Sequence, residues 1–234
     1  MVDSESGFPL GLSAIQLWTR DLEHQDKYER NYKKLPIEEK ESYKWLASAE
    51  HSQRCCVAGG AKMVTHIGVR ESDLYEEWAT VPDGYNHLLV RVRQDRRLFN
   101  QKQSLYAYLR QQPVVGTHTI DVPADKRIPR VARKAWLKIR LGQVKIRRPI
   151  ALKAFDYPPS VTLKAVEVEE ICPPTGQKPI HWRLLTTHDV LSLEQALQII
   201  EWYKWRWWIE QLLATLKKAG LNLEATQERI SPSN

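Results

Sequence analysis

The chain has 234 residues, 42% of them hydrophobic, with 35 basic against 28 acidic side chains for a formal net charge of +7. That size provides one large domain with a real core, or one domain carrying an insert. The basic excess favours polyanionic partners, three cysteines (Cys55, Cys56, Cys172) point to a reduced, cytoplasmic chain without a disulfide framework, and the absence of any long apolar run excludes a membrane-spanning helix.

Near the start, Gly7–Leu12 and Ala14–Thr19 read as two short strands. A strand so close to a first residue needs a neighbour, so upstream material is expected. Residues 21–34 are charged and read as a loop. Pro36, followed by Glu38, Glu39 and Glu41, marks a helix start through proline's fixed φ and the macrodipole. That helix is expected to run to about Cys56, with the adjacent cysteines packed inside. Residues 62–69 read as a buried strand and 71–81 as a helix, with Leu74, Trp78 and Val81 on one side. Residues 87–93 form another strand. Strand, helix, strand with short links is an α/β signature.

From Val114 the pattern turns to alternation and prolines. "AWLKIRLGQVKIRRPIALKA" reads as two strands about Gly142-Gln143, 160–171 as a strand, Pro173–Gly176 as a turn, and 181–187 as a strand returning to the first architecture. The division is 1–113, a β-rich insertion at 114–180, and 181–234. The last helix opens on a capping box at Ser192 and Gln195 and is expected to continue to Leu216 before Gly220.

Between Lys126 and Lys153 there are eleven basic residues and no acid. Lys138, Arg140, Lys145 and Arg147 alternate with apolar residues, which places them on one face of a hairpin, suited to a phosphate backbone. His66 and the His188-Asp189 pair lack partner patterns and read as structural.

The final helix carries the most specific pattern. With ~100° per residue, Tyr203, Arg206, Glu210 and Lys217 fall within a stripe of roughly 60°. Trp205 and Trp208 are expected on the core side, and Trp207 beside the stripe. Spacing alone supports an Arg206–Glu210 ion pair on a core helix.

The four residues spell Y-x2-R-x3-E-x6-K. This resembles the signature of the bacterial DDE transposases of insertion-sequence family four, the branch that includes transposon five. "PIEEKESYKWL" (36–46) and "WRLLTT" (182–187) are similar to further stretches of that family, in order along nearly the whole chain. The resemblance implies an RNase H-like α/β core interrupted by a β-rich insertion. It implies cut-and-paste DNA transposition, with three carboxylates holding two Mg²⁺ or Mn²⁺ ions for phosphodiester hydrolysis and strand transfer. It makes Glu210 the metal-binding catalytic glutamate, and Tyr203, Arg206 and Lys217 the residues that grip DNA near the transposon end. Trp182 becomes a platform near a flipped base.

The chain departs from that pattern. The family's D-R-E-x-D stretch is Val69-Arg70-Glu71-Ser72-Asp73 here. Valine stands at the metal-binding position and has no oxygen to offer. The strand bearing the first aspartate has no counterpart, so the core is expected to be incomplete and the chain shortened at both ends. The expectation is a remnant without strand cleavage, or alternatively a non-catalytic DNA-binding or transposase-inhibiting interaction protein, with a homodimer or a heteromer with intact transposase as the expected assembly. Either would be nucleoid-associated when bound to DNA.

Overall fold

The computed structural model describes residues 1–15, 35–124 and 131–215. The expected loop at 21–34, most of the 14–19 strand, Lys126, Arg127, Arg130 and Lys217 lie outside the described residues.

The fold is mixed α/β. The helices are α1 (Tyr43–Ala58), α2 (Tyr75–Thr80), α3 (Leu105–Gln111), α4 (Leu193–Trp205) and α5 (Trp207–Thr215). The strands are β1 (Val64–Gly68), β2 (Asn86–Arg91), β3 (Val114–Val122), β4 (Arg133–Arg147), β5 (Ser160–Glu170) and β6 (His181–Thr186). They form one six-stranded sheet in the order β1-β2-β6-β5-β4-β3. Only β1 and β2 are parallel; every other pair is antiparallel. The strands of segment 114–180 therefore extend the sheet that holds β1, β2 and β6.

Each sheet face has its own core. On one face α2 and α3 bring Tyr75, Trp78, Leu105 and Leu109 onto Leu88, Val90, Val144, Ile146, Leu163 and Leu185. On the other, α4 brings Ala196, Ile199, Ile200 and Tyr203 onto Leu89, Leu137, Ile139, Val166, Val168 and Leu184. These residues leave water on folding, at roughly 25 cal/mol per Å² of apolar surface.

Strand β4 serves both cores, and this corrects the hairpin reading. It runs unbroken through Gly142-Gln143, from Arg133 to Arg147. Leu137 and Ile139 belong to the α4 core, whereas Val144 and Ile146 belong to the α2–α3 core. Odd-to-even parity in the buried positions marks a change of face at Leu141–Gly142, since successive side chains alternate across a sheet. Gly142 is not a turn residue. A Cβ there would lie 2.5 Å from Tyr108 Cε1, so glycine is what lets α3 approach β4.

Other differences are local. Pro36 caps a 3-10 turn at Ile37–Glu39, and α1 begins only at Tyr43. Cys55 is exposed and Cys56 half-buried, not inside. Gly7–Leu12 forms no strand: Gly7 has φ +71° and Gly11 φ +139°, and a single bridge joins Val2 to Pro9. The N-terminal segment instead packs on α4, where Trp202 Nε1 donates to Ser4 O at 3.1 Å and the Trp205 ring abuts Gly7. Helix α3 is an element the sequence reading leaves unassigned. Its signal is the Ser104 N-cap, which accepts from Ala107 N, with Leu105 and Leu109 four residues apart.

Candidate nucleic-acid interface

The capping box of α4 is present with both reciprocal bonds, Ser192 to the Gln195 backbone and Gln195 back to the cap. It fixes the entry of the helix directly after β6 and Trp182. The expected long helix is two segments. At Arg206 the ladder tightens to i→i+3 bonds, with Arg206 N to Tyr203 O and Ile209 N to Arg206 O both 3.3 Å. Helix α4 is anchored by a buried face; α5 buries no residue.

The stripe therefore sits across this seam. Arg206 NH1 donates to Glu210 Oε1, and the Arg206 guanidinium lies 5.7 Å from the Tyr203 ring centroid. Tyr203 is only 5% exposed and belongs to the α4 core. It meets Trp182 edge-on, with centroids 5.6 Å apart at 62°. The two aromatic residues assigned to DNA thus touch each other, beneath Arg206. Trp208 is 47% exposed, contrary to its expected core position, and Trp207 is 43% exposed.

The acidic stretch after β1 is equally well defined. Val69 caps a 3-10 turn at Arg70–Ser72. Asp73 is buried and fully engaged. Its Oδ1 accepts from Arg96 Nε at 3.0 Å and Arg96 NH2 at 2.7 Å, and its Oδ2 accepts from Arg93 N at 2.8 Å. Glu71 is largely exposed, 3.6 Å from Lys44 Nζ. Hard divalent cations need several free oxygen ligands. Val69 offers none, Asp73 is held by Arg96, and Glu210, with its side chain 41% exposed, pairs with Arg206. Among the described residues no three His, Cys, Asp or Glu side chains gather as metal ligands.

Beside the Asp73–Arg96 pair, Glu77 is 3% exposed and its Oε2 has no partner. Burial, with the Asp73 charge adding to it, pushes its carboxyl up to about 8. His66 and His188 both make contacts inside the fold. His66 Nε2 pairs with Asn86 Oδ1 at 3.0 Å. His188 stacks on His87 at 4.1 Å and bonds Thr65 Oγ1 at 2.8 Å. Burial and then His87 hold it down to about 4.

The basic residues of β4 are sorted by their neighbours on β5. Lys138 faces Glu169 and Arg140 faces Glu167, with contacts of 2.9 and 3.3 Å. Glu167 is 1% exposed and also accepts from Arg183 Nε at 2.8 Å and His181 Nε2 at 2.9 Å. Arg133 forks onto Glu170 with two bonds of 2.9 Å, which holds that carboxylate below its ordinary range. Lys145 and Arg147 instead face Thr162 and Ser160. The four expected DNA-binding cations are therefore not one face of a hairpin. Lys138 and Arg140 lie on the α3 side within an ionic cluster. Lys145 and Arg147 lie on the opposite side, exposed and opposed by neutral hydroxyls.

No helix among the described residues is long and apolar enough to cross a membrane. No protein-family model matches the chain.

Proposed function

We propose that the chain is a DDE-transposase-type protein of RNase H-like descent, with segment 114–180 as the family's β-rich insertion, that binds DNA without cleaving it. The observation that carries the reading is the β6–α4–α5 passage. Trp182 on the strand, the capping box, and Tyr203, Arg206 and Glu210 across the helix seam follow one another as they do in the YREK pattern. Val69 and the committed Asp73 support the non-cleaving part, because productive metal geometry tolerates only about 0.5 Å of error.

The test is incubation of the purified chain with supercoiled plasmid in Mn²⁺, alongside gel retardation at low salt. Retardation with intact plasmid is expected. Nicking that disappears in Glu210→Gln overturns the non-cleaving reading, and no retardation of any DNA overturns the DNA-binding one.

A second reading, association with an intact transposase in inactive complexes, is favoured by the apolar surface of α5. Trp207, Trp208, Ile209 and Leu213 are all exposed there. Co-sedimentation with an active transposase of that family, lost in Trp208→Glu/Leu213→Glu, would support it.

A further inference from the structure

The loop after β2 returns alongside the far end of β4. Leu98 bridges Ile146, Phe99 N donates to Lys145 O at 2.8 Å, and Arg147 N donates to Arg97 O at 3.0 Å. In this short antiparallel pairing Arg97 stands opposite Arg147 and Phe99 opposite Lys145. Leu98 and Ile146 point into the core, so by the alternation of a strand the other four share the outer side. Phe99 is half-buried; Arg97, Lys145 and Arg147 are exposed. Exposed Lys102 adds a fourth cation, and a surface pocket of about 330 Å³ is lined by Phe99, Asn100, Lys102 and Arg147 among others.

No carboxylate neutralises these cations among the described residues. On β5 the facing residues are Thr162 and Ser160. Asp95, the acid nearest along the loop, is occupied by Ser104 Oγ at 2.7 Å and Tyr106 N at 2.9 Å. Lys138 and Arg140, on the same strand, are paired. The contrast within one strand separates cations that stabilise the sheet from cations held out to solvent.

We propose that Arg97, Lys102, Lys145 and Arg147 bind the phosphates of single-stranded nucleic acid, with Phe99 as a stacking surface at the pocket mouth. This rests on the DNA-binding reading for the class of partner and adds the site and the strandedness. Cations track the backbone irrespective of sequence. A base reaches an aromatic ring face-on only when it is free of its own stack, which a duplex does not allow and a single strand does.

The experiment is fluorescence anisotropy with a labelled oligothymidylate of 20 nucleotides and a duplex of equal length, across a salt series. The variants are Arg97→Ala/Lys102→Ala/Lys145→Ala/Arg147→Ala, Phe99→Ala, and Lys62→Ala as a remote basic control, each checked for an unchanged melting temperature. The quadruple variant is expected to weaken single-strand binding at least about 30-fold and flatten the salt slope by about 2 to 3. Phe99→Ala is expected to weaken single-strand binding about five-fold or more with duplex binding unchanged. Lys62→Ala is expected to match wild type. Wild-type binding that the quadruple variant leaves intact overturns this site while sparing the DNA-binding reading. Equal loss of both ligands in Phe99→Ala overturns the single-strand assignment, and no binding by wild type overturns both.

Discussion

Arg140 lies directly across the β4–β5 pairing from Glu167, and the carboxylate it meets is shared with Arg183 and His181. Arg183 in turn lies over the ring of Tyr106 of α3, its guanidinium carbon 3.8 Å from the centroid. The cluster joins β4, β5, β6 and α3 through one buried anion. Glu167→Ala is expected to destabilise the fold by roughly 3–5 kcal/mol, because Arg183 loses its counter-charge in a desolvated setting and Arg140 keeps only the more exposed Glu169, 3.1 Å away. Lys145→Ala is expected to change stability by no more than about 0.5 kcal/mol. Urea denaturation of the two variants beside wild type measures the difference.

Glu77 gives a pH dependence of definite sign. Its folded carboxyl is raised to about 8 from an ordinary 4.5, so the folded state holds the proton more tightly than the unfolded chain. The stability associated with the neutral form is complete below pH 4.5 and is lost progressively as pH rises towards 8. Glu77→Gln keeps the neutral shape. It is expected to stabilise the protein by roughly 1–3 kcal/mol at pH 8 relative to wild type, and by little at pH 4.5. Denaturation midpoints taken along that range check it; equal differences at both ends would remove Glu77 from the account.

His188 acts in the opposite direction. Held down to about 4 from 6.5, it stays neutral when folded while the unfolded chain takes up a proton. Its contribution to stability is therefore lost as pH falls from 6.5 towards 4. In an NMR titration the His188 ring proton signals are expected to hold steady until below about pH 5, whereas an ordinary histidine titrates near 6.5.

Gly142 distinguishes a continuous strand from a hairpin. Gly142→Ala is expected to cost roughly 1–3 kcal/mol through collision with Tyr108. A double-mutant cycle with Tyr108→Leu is expected to recover a large part of that cost, since the contact is shared. A turn glycine would show no coupling to Tyr108.

How far these features were legible depends on where their causes lie. The strands β2, β5 and β6 and the α4 cap follow from local alternation and from Ser192 with Gln195 three residues on, so they can be read directly. The Asp73 environment cannot, because its partner Arg96 is 23 residues away. Nor can the sorting of β4's cations. The run from Lys126 to Lys153 contains no acid, and it is the β4–β5 register that brings Glu167, Glu169 and Glu170 beside some of its members and hydroxyls beside others. The split helix at Arg206 was hidden for a similar reason. Its apolar spacing continues across the seam, whereas the burial that anchors α4 stops there. The proposed site at Arg97, Phe99 and Lys102 has a local trace in the sequence: "RRLFNQK" places a cation, a leucine and an aromatic in succession before the Ser104 cap.

The change of buried face within β4 bears on how the molecule comes apart. A strand that supplied only one core would let the helices over the other loosen on their own. Because Leu137 and Ile139 lock one half of β4 beneath α4 while Val144 and Ile146 lock the other half beneath α3, neither layer can open without withdrawing support from its counterpart. Amide protons along the whole of β4 should then exchange with solvent together, at the rate set by global unfolding, with no step between Leu141 and Gln143.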